Sequence, residues 1–348
     1  MPVTGTGDGP DGGAYTLGLG CAQLGNLHAP MSEETAHAIV HTALELGCRH
    51  LDTAPHYGVG LSEERLGRAL AGVPRETYTL STKVGRRLRS LAPGERAGSE
   101  ESEGFVDTPP RARVWDFSRD GVHRTLEASL ERLRTDHVDT VYLHDVENHL
   151  REVYETGFPA LAELRAQGVV RHIGFGMNYS DVLARLTAEL DVDSVLCAGR
   201  WTLLDRTAHD DLLPVCARRG TRVVVGGIYN SGLLADPRPG ARYDYRPAPD
   251  TLVQRAQRLQ EVCARHGVPL RAAALRFPSG HPSVASAVVG ACSAEEVRDN
   301  VRLSAYDIPG AMWHDLVAEG LLDADLPLPT PGPAPGPDGA DGKGPDAR

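Results

Sequence analysis

Along this chain, short runs dense in β-branched and other apolar residues alternate with longer runs in which apolar positions recur every three or four residues. The first kind reads as strands buried on both faces and the second as amphipathic helices, a pattern that predicts βα units around a parallel sheet. Eight predicted strands fall at 16–20, 50–53, 79–83, 138–144, 172–176, 194–197, 222–226 and 287–290, each followed by a helical signal. In the first helix Ser32 can cap, Glu33 and Glu34 suit the positive end of the dipole, and Ala36, Ile39, Val40, Ala43 and Leu44 form one stripe that Gly47 ends. A second stripe, Val122, Leu126, Leu130 and Leu133, follows a cap at Ser118 or Asp120. Eight such units close into a (β/α)8 TIM barrel, expected as a single α/β domain over residues 15–323. An open doubly wound sheet would alternate too, but it calls for GxGxxG after the first strand, and LGLGCAQLG at 17–25 echoes that only loosely.

Two connections, 84–117 and 227–249, are too long for simple turns, and long loops at the C-terminal rim of a barrel usually cover a ligand. The ends read as disordered tails, at 1–14 and 324–348. In 325–348 seven Pro and five Gly leave almost nothing apolar to offset chain entropy.

Composition narrows the function. Hydrophobic residues make up 41% and charged ones 24% of the 348 residues, with no run of about 18 apolar residues that would cross a membrane. The start, MPVTGTGDGPDGG, has neither the basic region nor the apolar core of a secretory signal, so a soluble cytoplasmic protein without membrane partners is expected. A formal net charge of −11 argues against nucleic acid as a partner. Six cysteines, Cys21, Cys48, Cys197, Cys216, Cys263 and Cys292, contain no CxxC pair and read as reduced core thiols.

The chemistry lies where strands run out. Asp52, Lys83, His144 and Asn178 fall at C-terminal strand ends, the working face of a parallel barrel, and Tyr57 follows Asp52 in a loop with Pro and Gly. A phenol with an ordinary pKa near ~10 is a poor acid or base at neutral pH unless its ionised form is stabilised. Lys83 can supply that stabilisation, Asp52 can hold the ammonium charged, and His144 can relay a proton or orient a substrate oxygen, without a metal. Singly, each residue also has a purely structural reading.

DTAPHYGVGLSEERLGRAL, STKVG, VYLHD and IGFGMN resemble the successive motifs of the aldo/keto reductase superfamily from about Leu17 to Leu303. The resemblance implies a (β/α)8 barrel that uses a nicotinamide cofactor without a Rossmann motif. It also implies that Asp52, Tyr57, Lys83 and His144 are the catalytic tetrad, with Tyr57 exchanging the proton at the substrate oxygen while hydride passes between substrate carbon and nicotinamide. On the cofactor face it carries over Gly20, Asn178, and Ser231, Gly232 and Leu233 as a backbone cradle for the pyrophosphate, then Glu296 and Asn300. The chain departs from the family where a Ser precedes the Asn, here Met177, and where an aromatic would stack on the nicotinamide, here Gly226 and Gly227.

No cation occupies the family's 2′-phosphate position in VVGACSAEEVRDN, while Glu296 could accept from a bare ribose diol, so NAD is favoured over NADP. A first-turn glutamate that merely suits the helix dipole is the alternative. RWTLLDR at 200–206 and GGIYNSGLLA at 226–235 are similar to the sugar 1-dehydrogenase branch, the D-threo-aldose (L-fucose or L-galactose type) dehydrogenases with pyridoxal 4-dehydrogenase close by. That resemblance implies oxidation of a cyclic hemiacetal to a lactone. His56, Trp115, Arg200 and Trp201 are the expected substrate contacts. General NADPH-dependent carbonyl reduction, a slow dinucleotide-sensing regulatory subunit, and zinc held by His37 and His41 are weighed against it.

Overall fold

A computed structural model describes residues 15–95, 104–244 and 246–330. The N-terminal tail predicted as disordered, 1–14, and residues 331–348 of the C-terminal one lie outside these residues, whereas 324–330 are described and Leu326 is buried in the core.

Eight parallel strands close into a barrel: β1 (Thr16–Gly20), β2 (His50–Asp52), β3 (Thr79–Val84), β6 (Thr140–His144), β7 (His172–Met177), β8 (Ser194–Ala198), β9 (Arg222–Gly226) and β12 (Val284–Val289). The circuit closes where Leu19 of β1 stands beside both Leu51 and Val289. Side chains alternate across each strand, so residues two apart share a face. Tyr142, Leu196, Val224 and Val288 meet as a small apolar cluster inside the barrel, apart from the main core between strands and helices. Asp52, Lys83 and His144 lie two residues beyond His50, Ser81 and Tyr142, which puts them on the inner face at the C-terminal rim.

The helix starts follow the predicted caps. Ser32 Oγ accepts from the Thr35 amide at 3.1 Å, and Ser118, rather than Asp120, accepts from the Gly121 amide at 3.0 Å. Gly47 takes φ 88° just past the first helix, a left-handed conformation that suits glycine.

Both long connections carry structure of their own. After β3 the chain forms an antiparallel hairpin, β4 (Arg86–Ser90) and β5 (Arg111–Trp115), pairing Arg86 with Trp115. After β9 a short ribbon, β10 (Arg242–Tyr243) with β11 (Arg246–Pro247), approaches the rim through a bridge from Gly232 to Arg242. Five cysteines are buried, but Cys292 is exposed, because it lies in the turn after β12 rather than on a strand. His37 and His41 stack their rings at 4.1 Å on the outer helix Glu33–Glu45.

Candidate active site

The rim brings Asp52, Tyr57, Lys83 and His144 together. Lys83 Nζ donates to Asp52 Oδ2 at 2.7 Å and to the Thr53 carbonyl at 2.9 Å, and it lies 4.8 Å from the centre of the Tyr57 ring. Ser81 donates to the other Asp52 oxygen at 2.6 Å, so both carboxylate oxygens are occupied. Lys83 is 1% exposed, and burial alone would lower its pKa, but Asp52 and Tyr57, by charge and by hydrogen bond, outweigh burial and raise it. The ammonium therefore stays charged beside the phenol.

Tyr57 is held over the barrel mouth by a close backbone approach. A Cβ on Gly25 would stand 2.6 Å from the Tyr57 carbonyl carbon, and one on Gly58 (φ 60°) would stand 2.3 Å from the Gly25 carbonyl oxygen. Only a pair of glycines lets the loop after β2 press against the loop after β1.

His144 packs edge-on against Tyr57, with ring centres 6.1 Å apart. Burial, then the charges of Arg86, Lys83, His56 and Arg113, push its pKa well below the ordinary histidine value, so the ring is neutral. Its Nδ1 is buried without a hydrogen-bond partner, and Nε2 lies 3.5 Å from Asp145. The basic groups come largely from the hairpin, which composition alone did not reveal. Arg86 pairs with Asp145, approaches His56 Nδ1 at 3.1 Å and lies 4.3 Å over the Trp115 ring, while Arg113 donates to the His56 carbonyl at 2.9 Å. Of the expected substrate contacts, His56 thus stands beside Tyr57 and 5.6 Å from the His144 ring, while Trp115 is held on the hairpin among Arg86, Phe117 and His149.

The other two are placed differently. Trp201 is fully buried, packed 4.8 Å from the Phe277 ring with its indole N–H donating to the Pro278 carbonyl, so it offers no face to a substrate. Arg200 is engaged by Asp205 at 3.1 Å and Asp244 at 2.7 Å, and its Nε donates to the Asn178 carbonyl at 2.8 Å. It fixes the backbone of Asn178 rather than reaching over the mouth.

A cleft runs from Tyr57 across the ends of β7, β8, β9 and β12, lined by Gly20, Gln23, Asn178, Tyr229, Ser231, Gly232 and Gly290 among others. Asn230, Ser231 and Gly232 take left-handed φ of 46°, 57° and 95° in succession, in a tight turn whose Asn230 and Gly232 amides donate to the Gly227 and Tyr229 carbonyls at 2.8 and 3.0 Å. Buried Asn230 anchors it by donating to the Gly199 carbonyl at 3.2 Å. Leu233 does not line the cleft: its side chain is buried in the core and its amide donates to the Asn230 carbonyl at 3.2 Å. Asn300 is buried, its oxygen accepting from Tyr229 at 3.0 Å and Arg271 at 2.9 Å. Sequence reasoning missed both partners.

Glu296 caps its own helix. Its Oε2 accepts from the Cys292 amide at 2.8 Å while Ser293 Oγ accepts from the Glu296 amide at 3.1 Å. The spacing Ser293-x-x-Glu296 of a capping box was legible, with the carboxylate reaching the amide one residue before the cap. One carboxylate oxygen is therefore committed to the helix, as the dipole alternative implied.

The model of the Aldo/keto reductase family matches residues 16–318, the whole barrel with its rim. The chain belongs to the aldo/keto reductase family. A D-threo-aldose 1-dehydrogenase of Pseudomonas sp is 41% identical over 309 residues, covering 88% of this chain and 94% of the relative. A pyridoxal 4-dehydrogenase of Microbacterium luteolum is 38% identical over 323 residues, with the same coverage of 88% and 94%. Among solved structures, the holo form of aldo-keto reductase AKR11C1 from Bacillus halodurans superposes with a TM-score of 0.69 at 27% identity, covering 92% of this aldo/keto reductase and 96% of that chain. No helix among the described residues is long and apolar enough to cross a membrane.

Proposed function

We propose that this aldo/keto reductase is an NAD-linked dehydrogenase that oxidises the hemiacetal carbon of a D-threo-type aldose, such as L-fucose, D-arabinose or L-galactose, to its lactone. The observation that carries the chemistry is the buried Asp52–Lys83 pair directly beneath the Tyr57 ring, with a neutral His144 at its edge. The substrate class rests on the similarity to the Pseudomonas aldose dehydrogenase.

The cleft suits an extended dinucleotide: glycines at 20, 226, 227, 232 and 290 admit close backbone approach, and the left-handed turn at 230–232 lines it. Asn178, set by Arg200, would hold the carboxamide, and Ser231 with Gly232 the pyrophosphate. The bound nicotinamide supplies a hydride acceptor. The remaining steps belong to the protein. His144 donates a hydrogen bond to the reacting oxygen or accepts one from it, and it stays uncharged throughout. Tyr57 takes the hydroxyl proton as hydride leaves the carbon, and Lys83 stabilises the phenolate that must precede this transfer. Asp52 keeps Lys83 charged and fixed.

NAD is favoured because, at the helix start expected at the adenosine end, Arg302 and Arg271 are both taken up by Asp299, which leaves Glu295 and Glu296 against Arg298. That balance disfavours a second phosphate. Pyridoxal is the second substrate to test, given the Microbacterium relative. Purified protein is offered L-fucose, D-arabinose, L-galactose and pyridoxal with NAD or NADP, and reduced cofactor is followed by absorbance. Lactone formation with NAD and an aldose is expected. Ketone reduction with NADPH alone, and no aldose oxidation, would overturn both substrate and cofactor.

A further inference from the structure

Beneath the rim, the inner face of the barrel carries polar contacts that the chemistry above does not use. Ser81, which donates to Asp52 Oδ1 at 2.6 Å, also lies 3.4 Å from His50 Nε2, and His50 Nδ1 lies 3.2 Å from Ser286 Oγ. His50 opens β2 and Ser286 sits early in β12, so these two mark the N-terminal end of the barrel, opposite the substrate mouth. Lys83, Asp52, Ser81, His50 and Ser286 are thus linked in one chain of contacts of 2.7, 2.6, 3.4 and 3.2 Å down the barrel axis. Each is buried, and His50 and Ser286 retain 8% and 5% of their surfaces.

We propose that this chain is a proton relay that connects Tyr57 to solvent through the bottom of the barrel, with His50 as its outer shuttle. The inference rests on the acid/base reading of Tyr57. Oxidation of a hydroxyl releases one proton per hydride, and with dinucleotide and substrate both seated over the rim the direct route to water is filled. The substrate O–H proton goes to the Tyr57 oxygen as the C–H bond gives its electron pair to the oxidised nicotinamide. Before that transfer, and again after it, the Tyr57 phenol gives its proton to Lys83 as Lys83 passes one of its own to Asp52, so the relay gates every turnover, the first included. Rotation of the Ser81 hydroxyl from Asp52 to His50 then lets Asp52, its acid proton turned to Oδ1, give that proton to Ser81 Oγ as Ser81 passes its own to Nε2; His50 releases its Nδ1 proton to Ser286, whose hydroxyl proton passes to water, and exchange between the two neutral tautomers of the ring through that water restores the start. A neutral imidazole can play this part, since it accepts at one nitrogen and donates at the other. Burial lowers the His50 pKa, against the charge of Asp52, which raises it; Lys83 lowers it and Asp139 raises it. The ring therefore starts uncharged.

The test follows reduced cofactor in the first turnover for Ser81→Ala, His50→Ala and the wild type, in water and in deuterium oxide. Both substitutions are expected to slow the first turnover on the order of tenfold to a hundredfold with an enlarged solvent isotope effect, while dinucleotide affinity stays unchanged. Substituted imidazoles should rescue His50→Ala in proportion to their basicity and should not rescue Ser81→Ala. First-turnover rates and isotope effects equal to wild type in both variants overturn the relay, as does rescue indifferent to base strength, which would mark His50 as a packing residue. Tyr57→Phe is measured alongside. If that variant keeps its turnover, the acid/base reading itself has failed, whereas its loss together with normal His50→Ala and Ser81→Ala rates removes the relay alone.

Discussion

Lys83 and Asp52 show what a buried ion pair does when it also has work at its edge. The pair is nearly sealed from water, and each partner is held by further hydrogen bonds, Lys83 by the Thr53 carbonyl and Asp52 by Ser81. Removing one charge strands the other, so Lys83→Met should lower stability by about 3–5 kcal/mol, read by denaturant unfolding, and abolish turnover. Tyr57→Phe leaves every contact of that pair except the phenol and should keep both fold and dinucleotide affinity while losing about 10²–10⁴ in kcat. These residues were legible because strand ends in a parallel barrel converge by topology, so five scattered positions could be placed on one rim without coordinates. Trp201 was not, because its burial depends on Phe277 and Pro278, the latter 77 positions away, and nothing local to RWTLLDR announces that contact. At Glu296 a local role was legible beside the functional one, since its capping partner Ser293 stands three residues before it and leaves one carboxylate oxygen for a ligand.

At the scale of elements, periodicity located every barrel strand, and boundaries differ mainly at β6 and β12, where the ladder begins two residues later at Thr140 or three earlier at Val284. The hairpin β4–β5 was read as a loop. RARVW alternates but RRLRS holds one apolar residue, their guanidinium content resembles solvated surface, and what makes them strands is pairing with each other. The loop that carries Tyr57 depends on another pairing, between glycines. Gly25→Ala forces a Cβ to 2.6 Å from the Tyr57 carbonyl carbon, so the loop must lift. The expected result is a fall in kcat of about a hundredfold from misplacement of the phenol, with little change in dinucleotide affinity, measured by steady-state kinetics and titration.

For the whole molecule, two buried histidines tie stability to pH. His144 and His50 are both held below the ordinary value of 6.5, chiefly by burial, so below that pH the unfolded chain binds protons that the folded one refuses. Their contribution is complete above the unfolded pKa and is lost as pH falls through it, at up to about 1.4 kcal/mol per pH unit for each proton. Melting temperature should therefore drop between roughly pH 7 and pH 5. His144→Gln should flatten that slope relative to wild type, and an unchanged slope would remove His144 from the account.

The guanidinium of Arg86 lying over Trp115 gives the rim hairpin an optical consequence. Of the three tryptophans in the chain, Trp201 and Trp313 are buried in the core, while Trp115 is 45% exposed on the hairpin. Emission that responds to ligands should come from this one indole. Adding dinucleotide and then sugar should quench or shift the fluorescence in two steps, and Trp115→Phe should silence both while the remaining core signal reports only unfolding.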